Sequence, residues 1–120
     1  MGLDMYAFTT DTKIEETGFK FPENAVQIAC WRKHPNLHGW MEQLYIEKGG
    51  EELFNCECVR LDAADIDALE QVVNEDALPH TTGFFFGESR PEDKTDDVLF
   101  IQNARKALAA GLNVFYTSWW

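Results

Sequence analysis

The residues best suited to chemistry lie close together in the segment 31–40, which reads WRKHPNLHGW. It places two cations, Arg32 and Lys33, shortly before a helix that we expect to begin near Asn36. The first turn of a helix has free backbone N–H groups and favours anions. The segment therefore predicts a site for a phosphate or a carboxylate. The alternative is that both cations pair with the many carboxylates of the chain itself.

Metal binding is the second chemistry that the residue types suggest. His34 and His38 are four residues apart, but a zinc site needs about four ligands, so structural roles are favoured. Cys56 and Cys58 would share one face of a predicted strand, and Cys30 stands alone. Without a second cysteine pair, the thiols are expected to be buried and structural. We predict no metal and no cofactor.

Catalytic motifs are missing from the sequence. It contains no GxSxG, P-loop, GxGxxG or HExxH pattern. Nucleophilic catalysis therefore has no identifiable centre, and a protein without catalysis is the favoured prediction. An enzyme remains an open alternative because a site assembled from distant residues leaves no local motif.

The charge of the chain is strongly acidic and unevenly placed. The net charge is -11, and residues 62–97 hold eleven acidic residues against two basic ones. Such a field repels phosphates, so direct binding to nucleic acid is not expected. It suits a partner protein with a basic surface, and the alternative is a solvated face that serves solubility. The candidate interface residues are Asp65, Glu92, Asp93, Phe85 and Trp120.

The length and the distribution of apolar residues predict one domain, residues 1–120. At 120 residues the chain has the size of a common single domain. No apolar run approaches the roughly 18 residues of a membrane span, and the first residues do not form a secretory signal. We therefore expect a cytoplasmic protein that does not bind membranes.

Apolar and polar alternation predicts four strands. These are residues 2–8, 25–31, 54–61 and 113–119, with residues 9–24 as a loop. The last strand should pair with the first, and at least one of the two final tryptophans should pack into the core. The other tryptophan could then mark a surface for self-association.

Helical spacing and capping residues predict three helices. The first is expected to have Asn36 as its N-cap and to end at Gly49. The second follows Asp62, with Asp65 completing a capping box. The third covers about residues 95–110.

The order of the elements favours an α+β fold. Strands and helices do not alternate strictly, which argues against a doubly wound parallel sheet. We expect about three helices packed on a mixed or antiparallel sheet of four or five strands. Residues 80–92 are predicted to be a loop with a short extended piece.

Four segments of the chain carry a family resemblance: MGLDMY, WRKHPNLHGWM, LPHTTGFFFG and VFYTSWW. They resemble a family of small uncharacterised proteins from bacteria and their phages, some of which are labelled phosphoglycerate kinase. A chain of 120 residues cannot build the two lobes of that kinase. The resemblance implies a compact protein carried on mobile elements, and it transfers no catalytic residue. The polar residues of these segments are our ligand-binding candidates: Asp4, Arg32, Lys33, Asn36, His38 and Thr82.

Two functional hypotheses follow from the sequence. The leading one is a small acidic binding protein without catalysis, such as a phage or mobile-element accessory protein or an inhibitor of a host protein. The alternative is a small-molecule or nucleotide-binding protein, enzymatic or not, with its site at the strand-to-helix junction 31–40.

Overall fold

The computed structural model describes residues 2–83 and 85–120. The order of their elements along the chain is strand, strand, helix, strand, helix, helix, strand. In chain order they are β1 (Asp4–Thr10), β2 (Val26–Arg32), α1 (Pro35–Glu47), β3 (Cys58–Leu61), α2 (Ala63–Asn74), α3 (Asp93–Ala109) and β4 (Asn113–Trp119).

The strands form one antiparallel sheet in the order β2-β1-β4-β3. β1 lies in the centre, where Ala7 pairs with Ala29 of β2 and with Tyr116 of β4. Val59 of β3 pairs with the same tyrosine from the other side. The predicted α+β class is therefore confirmed, with four antiparallel strands and three helices among the described residues.

The two faces of the sheet are covered in different ways. Residues of one face, such as Met5, Ala7 and Tyr116, are fully buried in the main core. Since side chains alternate along a strand, Phe8 and Phe115 lie on the other face. There the loop 11–25 covers them with Phe21, whose ring meets both at 4.8 and 5.5 Å.

The second helix has the N-terminus that the sequence predicts. The side chain of Asp62 accepts a hydrogen bond from the backbone N–H of Asp65, and the Asp65 carboxylate accepts one from the backbone N–H of Asp62. Ile66 and Leu69 lie on the apolar stripe of α2 and are buried in the core, as expected from helical spacing. α2 also packs against α3.

The predicted start of α1 is two residues too late. Asn36 is not the N-cap, because Pro35 already occupies the first helical turn and His34 is the cap residue. Proline is well tolerated at the first helical position, where its missing N–H would have no partner inside the helix. The side chain of Asn36 is therefore available for another contact.

The third strand is shorter than predicted. Cys56 has a positive φ of 63°, which is incompatible with an extended strand, and β3 begins only at Cys58. The two thiols therefore do not share one strand face. Cys56 is exposed and Cys58 is buried, and burial raises the pKa of the Cys58 thiol to about 11.

The predicted last strand and its pairing with the first strand are confirmed. Phe115 of β4 pairs with Phe8 of β1. Trp120 packs against the core and donates its indole N–H to the carbonyl of Phe54 at 2.8 Å, whereas Trp119 is 67% exposed. The connection 77–92 contains no assigned strand among its described residues, so the predicted short extended piece is not found there.

Within the described chain, no helix is both long and apolar enough to cross a membrane.

Candidate functional site

An open cleft of about 270 Å³ lies beside the first turn of α1, and we call it the α1 cleft. Three parts of the chain form it: the junction of β2 and α1, the end of α2 with the connection that follows it, and the first turns of α3. Its lining contains three kinds of side chain. Those that form the hydrogen-bond network of the cleft are His34, Asn36, Ser89 and Asp97, the apolar ones are Val73, Leu78 and Pro91, and the remaining charged ones are Asp76, Arg90 and Lys94.

The imidazole of His34 is buried and has a partner at each ring nitrogen. Its Nδ1 lies 2.7 Å from the hydroxyl oxygen of Ser89, and its Nε2 lies 2.9 Å from Oδ2 of Asp97. An ionised carboxylate can only accept hydrogen bonds, so Nε2–H donates to Asp97. In the neutral ring, Nδ1 then accepts the hydroxyl proton of Ser89.

Two carboxylates of α3 face His34. Asp97 is buried, and its second oxygen, Oδ1, accepts the indole N–H of Trp31 at 3.1 Å. Asp93, one turn earlier and also buried, has Oδ2 3.6 Å from His34 Nδ1. The same oxygen accepts the backbone N–H of Arg90 at 2.8 Å. Both carboxylates are therefore fixed by hydrogen bonds before any ligand arrives.

Ser89 and Asn36 tie the start of α1 to the connection between α2 and α3. The backbone N–H of Asn36 donates to Ser89 Oγ at 3.1 Å, and the Asn36 side-chain oxygen accepts the backbone N–H of Thr81 at 3.0 Å. At Gly39, a Cβ atom would lie only 1.9 Å from the hydroxyl oxygen of Thr81. Only glycine allows α1 and this connection to approach so closely.

The backbone turns sharply where β2 leads into α1. Lys33 adopts a positive φ of 56°, and its backbone N–H donates to the carbonyl of Leu3 at 2.8 Å. Gly87 packs against the side chain of Lys33 and has a φ of +72°. A Cβ atom at Gly87 would lie 3.1 Å from Lys33 Cβ, so both the positive φ and the close contact favour glycine here. These contacts hold the chain just before Ser89 against the junction of β2 and α1.

His38 lies one helical turn after His34 and points into the core. Its Nδ1 is 2.9 Å from the hydroxyl of Tyr116, and its Nε2 has no hydrogen-bond partner in the described structure. Rings of Phe54, Phe86 and Trp120 surround it. Burial lowers the pKa of His38 to about 4, so the ring is neutral at physiological pH.

The ligand-binding candidates from the sequence do not share one pocket. Asp4 and Arg32 form an ion pair of 3.8 Å on the sheet face that the loop 11–25 partly covers. Asn36 lines the α1 cleft, His38 is in the core, and the exposed side chains of Lys33 and Thr82 are not part of the cleft lining. These candidate residues lie in different surroundings because successive side chains on a strand or a helix point in different directions.

The interface candidates also differ in their surroundings. Asp65 completes the cap of α2 and lies 2.5 Å from the Lys48 ammonium, and Asp93 is buried beside His34. Glu92 and Phe85 are exposed, whereas Trp120 is partly buried. Whether any of them contacts a partner protein stays a prediction.

The two hydrogen-bond partners of His34, Ser89 and Asp97, are not among the candidate residues that the sequence predicts. Ser89 lies in a loop without a motif. Asp97 belongs to a run of acidic residues at the start of α3, where the helix dipole alone favours negative charge. One signal was available: Asp97 lies four and seven residues before Ile101 and Ala104, on the apolar stripe of α3. A carboxylate on a core-facing stripe needs a buried partner.

Among the described residues, no group of three or more histidine, cysteine or acidic side chains has a geometry that could hold a metal ion. In comparisons with family models, curated proteins and solved structures, nothing matches the chain.

Proposed function

We propose that this protein binds a small molecule with an anionic group and an apolar portion in the α1 cleft. The observation that carries the proposal is the composition of the cleft. Hydrogen-bonding groups of His34, Asn36 and Ser89 meet the apolar side chains of Val73 and Leu78 in one hollow. Ligand sites in proteins combine an apolar lining with a few fixed polar groups in this way.

Two cations at the cleft support an anionic ligand. Lys94 pairs with Asp76 at 3.1 Å, and the two side chains are 42% and 76% exposed. Arg90 approaches Asp93 at 3.7 Å and is exposed as well. Exposed ion pairs contribute about 0–1 kcal/mol, so a carboxylate or phosphate of a ligand can replace Asp76 as the partner of Lys94 at little cost. The cations would then supply the charge complement of the ligand.

The size of the cleft favours a small ligand over a nucleotide. Its volume of about 270 Å³ lies just below the range of about 300–1,000 Å³ for the pockets of drug-sized ligands. A short carboxylic acid or a phosphate ester of a small alcohol suits this space, with its carbon chain against Val73, Leu78 and Pro91. The site lies at the junction 31–40 that the sequence predicts, but of the predicted ligand-binding residues only Asn36 lines it.

A thermal-shift screen tests the proposal. Small carboxylates and phosphate esters, including butyrate and phenyl phosphate, should raise the melting temperature with increasing concentration because they bind only the folded state. The effect should weaken in Lys94→Gln. The matched control is Lys106→Gln, an exposed lysine near the other end of α3, which should respond like the unmodified protein.

Two outcomes would contradict the proposal. The first is a melting temperature that no small anion raises. The second is a rise that is equal in Lys94→Gln and Lys106→Gln, because the ligand would then bind away from the α1 cleft.

A further inference from the structure

We propose that Ser89 is a nucleophile that accepts the acyl group of a small anionic ester, with His34 as its general base. This proposal rests on the proposed function, because the ester would occupy the same α1 cleft. The hydroxyl of Ser89 and the ring of His34 both line that cleft, and Asp97 stands behind the ring.

The distances fit an activated serine. Such sites have the nucleophile and the base within about 2.6–3.2 Å, with the base oriented by a third group. Here Ser89 Oγ is 2.7 Å from His34 Nδ1, and Asp97 is 2.9 Å from His34 Nε2. The three residues come from a loop, a strand-to-helix junction and a helix, so the arrangement leaves no local sequence motif.

The proton positions favour His34 as a base toward Ser89. The Asp97 carboxylate accepts hydrogen bonds from His34 Nε2–H and from the indole N–H of Trp31 at 3.1 Å, and the two bonds together fix its orientation. In the neutral ring, the lone pair of Nδ1 then faces the serine hydroxyl. Asp97 is thus a positioning residue, which acts by fixing the ring and its tautomer.

A second contact assists the loss of the serine proton. The backbone N–H of Asn36, in the first turn of α1, donates to Ser89 Oγ at 3.1 Å. A donor at a helix N-terminus stabilises negative charge, and this one points at Ser89 Oγ, which gains partial negative charge as its proton moves to His34. It leaves the hydroxyl proton free to be donated to His34.

The proposed step is acyl transfer followed by hydrolysis. Ser89 Oγ forms a bond to the ester carbonyl carbon while its proton moves to His34 Nδ1. The carbon–oxygen bond to the alcohol then breaks, and His34 returns the proton to the departing alcohol. Water attacks the resulting acyl-serine with His34 again as base, which releases the acid and restores Ser89. Arg90 and Lys94 would hold the anionic group of the ester.

Covalent labelling tests the nucleophile. Diisopropyl phosphorofluoridate should add one diisopropylphosphoryl group to Ser89, with loss of fluoride, as located by mass spectrometry of peptides. Ser89→Ala should lose the label. Thr82→Ala, which removes an exposed hydroxyl of the same connection, should keep it. A label on another residue, or no label, would overturn the proposal.

Ester turnover tests the base and the substrate class. The mono-p-nitrophenyl ester of glutaric acid should release p-nitrophenol faster than the neutral p-nitrophenyl butyrate, and Lys94→Gln should remove that preference. His34→Gln should slow release by roughly 10²–10⁴-fold, the usual contribution of a general base. Equal rates in the unmodified protein and Ser89→Ala would contradict the proposal.

The variant Asp97→Asn distinguishes a role of Asp97 in positioning the His34 ring from a role in folding alone. The amide can still accept from Trp31, but its NH₂ group faces His34 Nε2, so the ring must place its proton on Nδ1. Labelling of Ser89 should then slow by roughly 10²-fold or more, while circular dichroism stays unchanged and ¹⁵N NMR reports the new tautomer. An unchanged labelling rate with the tautomer reversed would exclude His34 as the base.

The failure of this proposal can be distinguished from failure of the binding proposal. Butyrate and phenyl phosphate need no reaction, so their effect on the melting temperature should persist in Ser89→Ala. A rise in the melting temperature without any label on Ser89 would contradict the role of Ser89 as a nucleophile but would support the binding site. Absence of the shift itself would contradict the binding site.

Discussion

His34 and His38 lie one turn apart at the start of α1, yet their surroundings differ in almost every respect. His34 has a hydrogen-bond partner at both ring nitrogens and lines an open cleft. His38 has one partner, the hydroxyl of Tyr116, and is enclosed by aromatic rings that keep its pKa near 4. The same residue type therefore belongs to a polar network beside a cleft in one case and packs in the core in the other.

The difference shows that the polar network, more than the histidine itself, defines the candidate site. His34 faces α3, which supplies the carboxylates of Asp93 and Asp97. His38 faces the sheet and the final residue, Trp120. Variants that remove one environment and leave the other intact should separate the two roles.

The largest effect on stability is expected from Asp97→Ala. It would leave the N–H groups of Trp31 and His34 buried without an acceptor, and each such donor costs about 1–3 kcal/mol. The free energy of unfolding in urea should fall by about 3–4 kcal/mol. The neighbouring exposed Asp96 is the matched control, and Asp96→Ala should change stability by less than about 0.5 kcal/mol. Similar losses for both variants would contradict the buried network.

A somewhat smaller loss of stability is expected from removing Trp120, one of the aromatic rings around His38. Trp120→Ala takes away a ring that meets His38 and Phe86, together with the hydrogen bond to the carbonyl of Phe54. Truncation of a large aromatic side chain costs about 3 kcal/mol when much of it is packed. Trp119→Ala, at the exposed neighbour, should have little effect. If chemical denaturation ranks the two variants in the opposite order, the placement of the two rings is wrong.

The pKa of His38 predicts a pH dependence of stability. Its value is about 4 in the folded protein and 6.5 in the unfolded chain, so between these values the unfolded state binds more protons. Lowering the pH from 6.5 to 4 should therefore cost about 3 kcal/mol from this residue alone.

The matched variant for this pH dependence is His38→Asn. Asparagine retains a polar group near Tyr116 but does not titrate, so the curve of unfolding free energy against pH should be flatter in this range. Identical slopes in both proteins would assign the acid sensitivity to other groups.

A further comparison concerns the glycine that positions the loop of Ser89. Gly87→Ala meets both a positive φ and a close contact with Lys33, and we expect a loss of about 2 kcal/mol. Gly111 has a similar φ of +83° but no neighbouring atom within 4 Å of the added Cβ. Gly111→Ala should therefore cost less, about 1 kcal/mol. Equal thermal shifts for the two variants would show that the contact with Lys33 contributes nothing.

The sequence predicted the elements better than the site. Alternation identified the strands that became β1, β2 and β4, and the capping box fixed the start of α2, because these signals depend on neighbouring residues. The cleft depends on pairs far apart in sequence. Ser89 and Asp97 lie 55 and 63 residues from His34, and no local rule joins them.

The most direct test of the account is an NMR titration that follows both histidine rings in one experiment. With ¹⁵N-labelled histidine, phenyl phosphate should shift the ring signals of His34 and leave those of His38 unchanged, because only His34 lines the α1 cleft. The unbound protein should show the proton of His34 on Nε2. Shifts confined to His38, or no change at either ring at concentrations that raise the melting temperature, would contradict the assignment of the site to the α1 cleft.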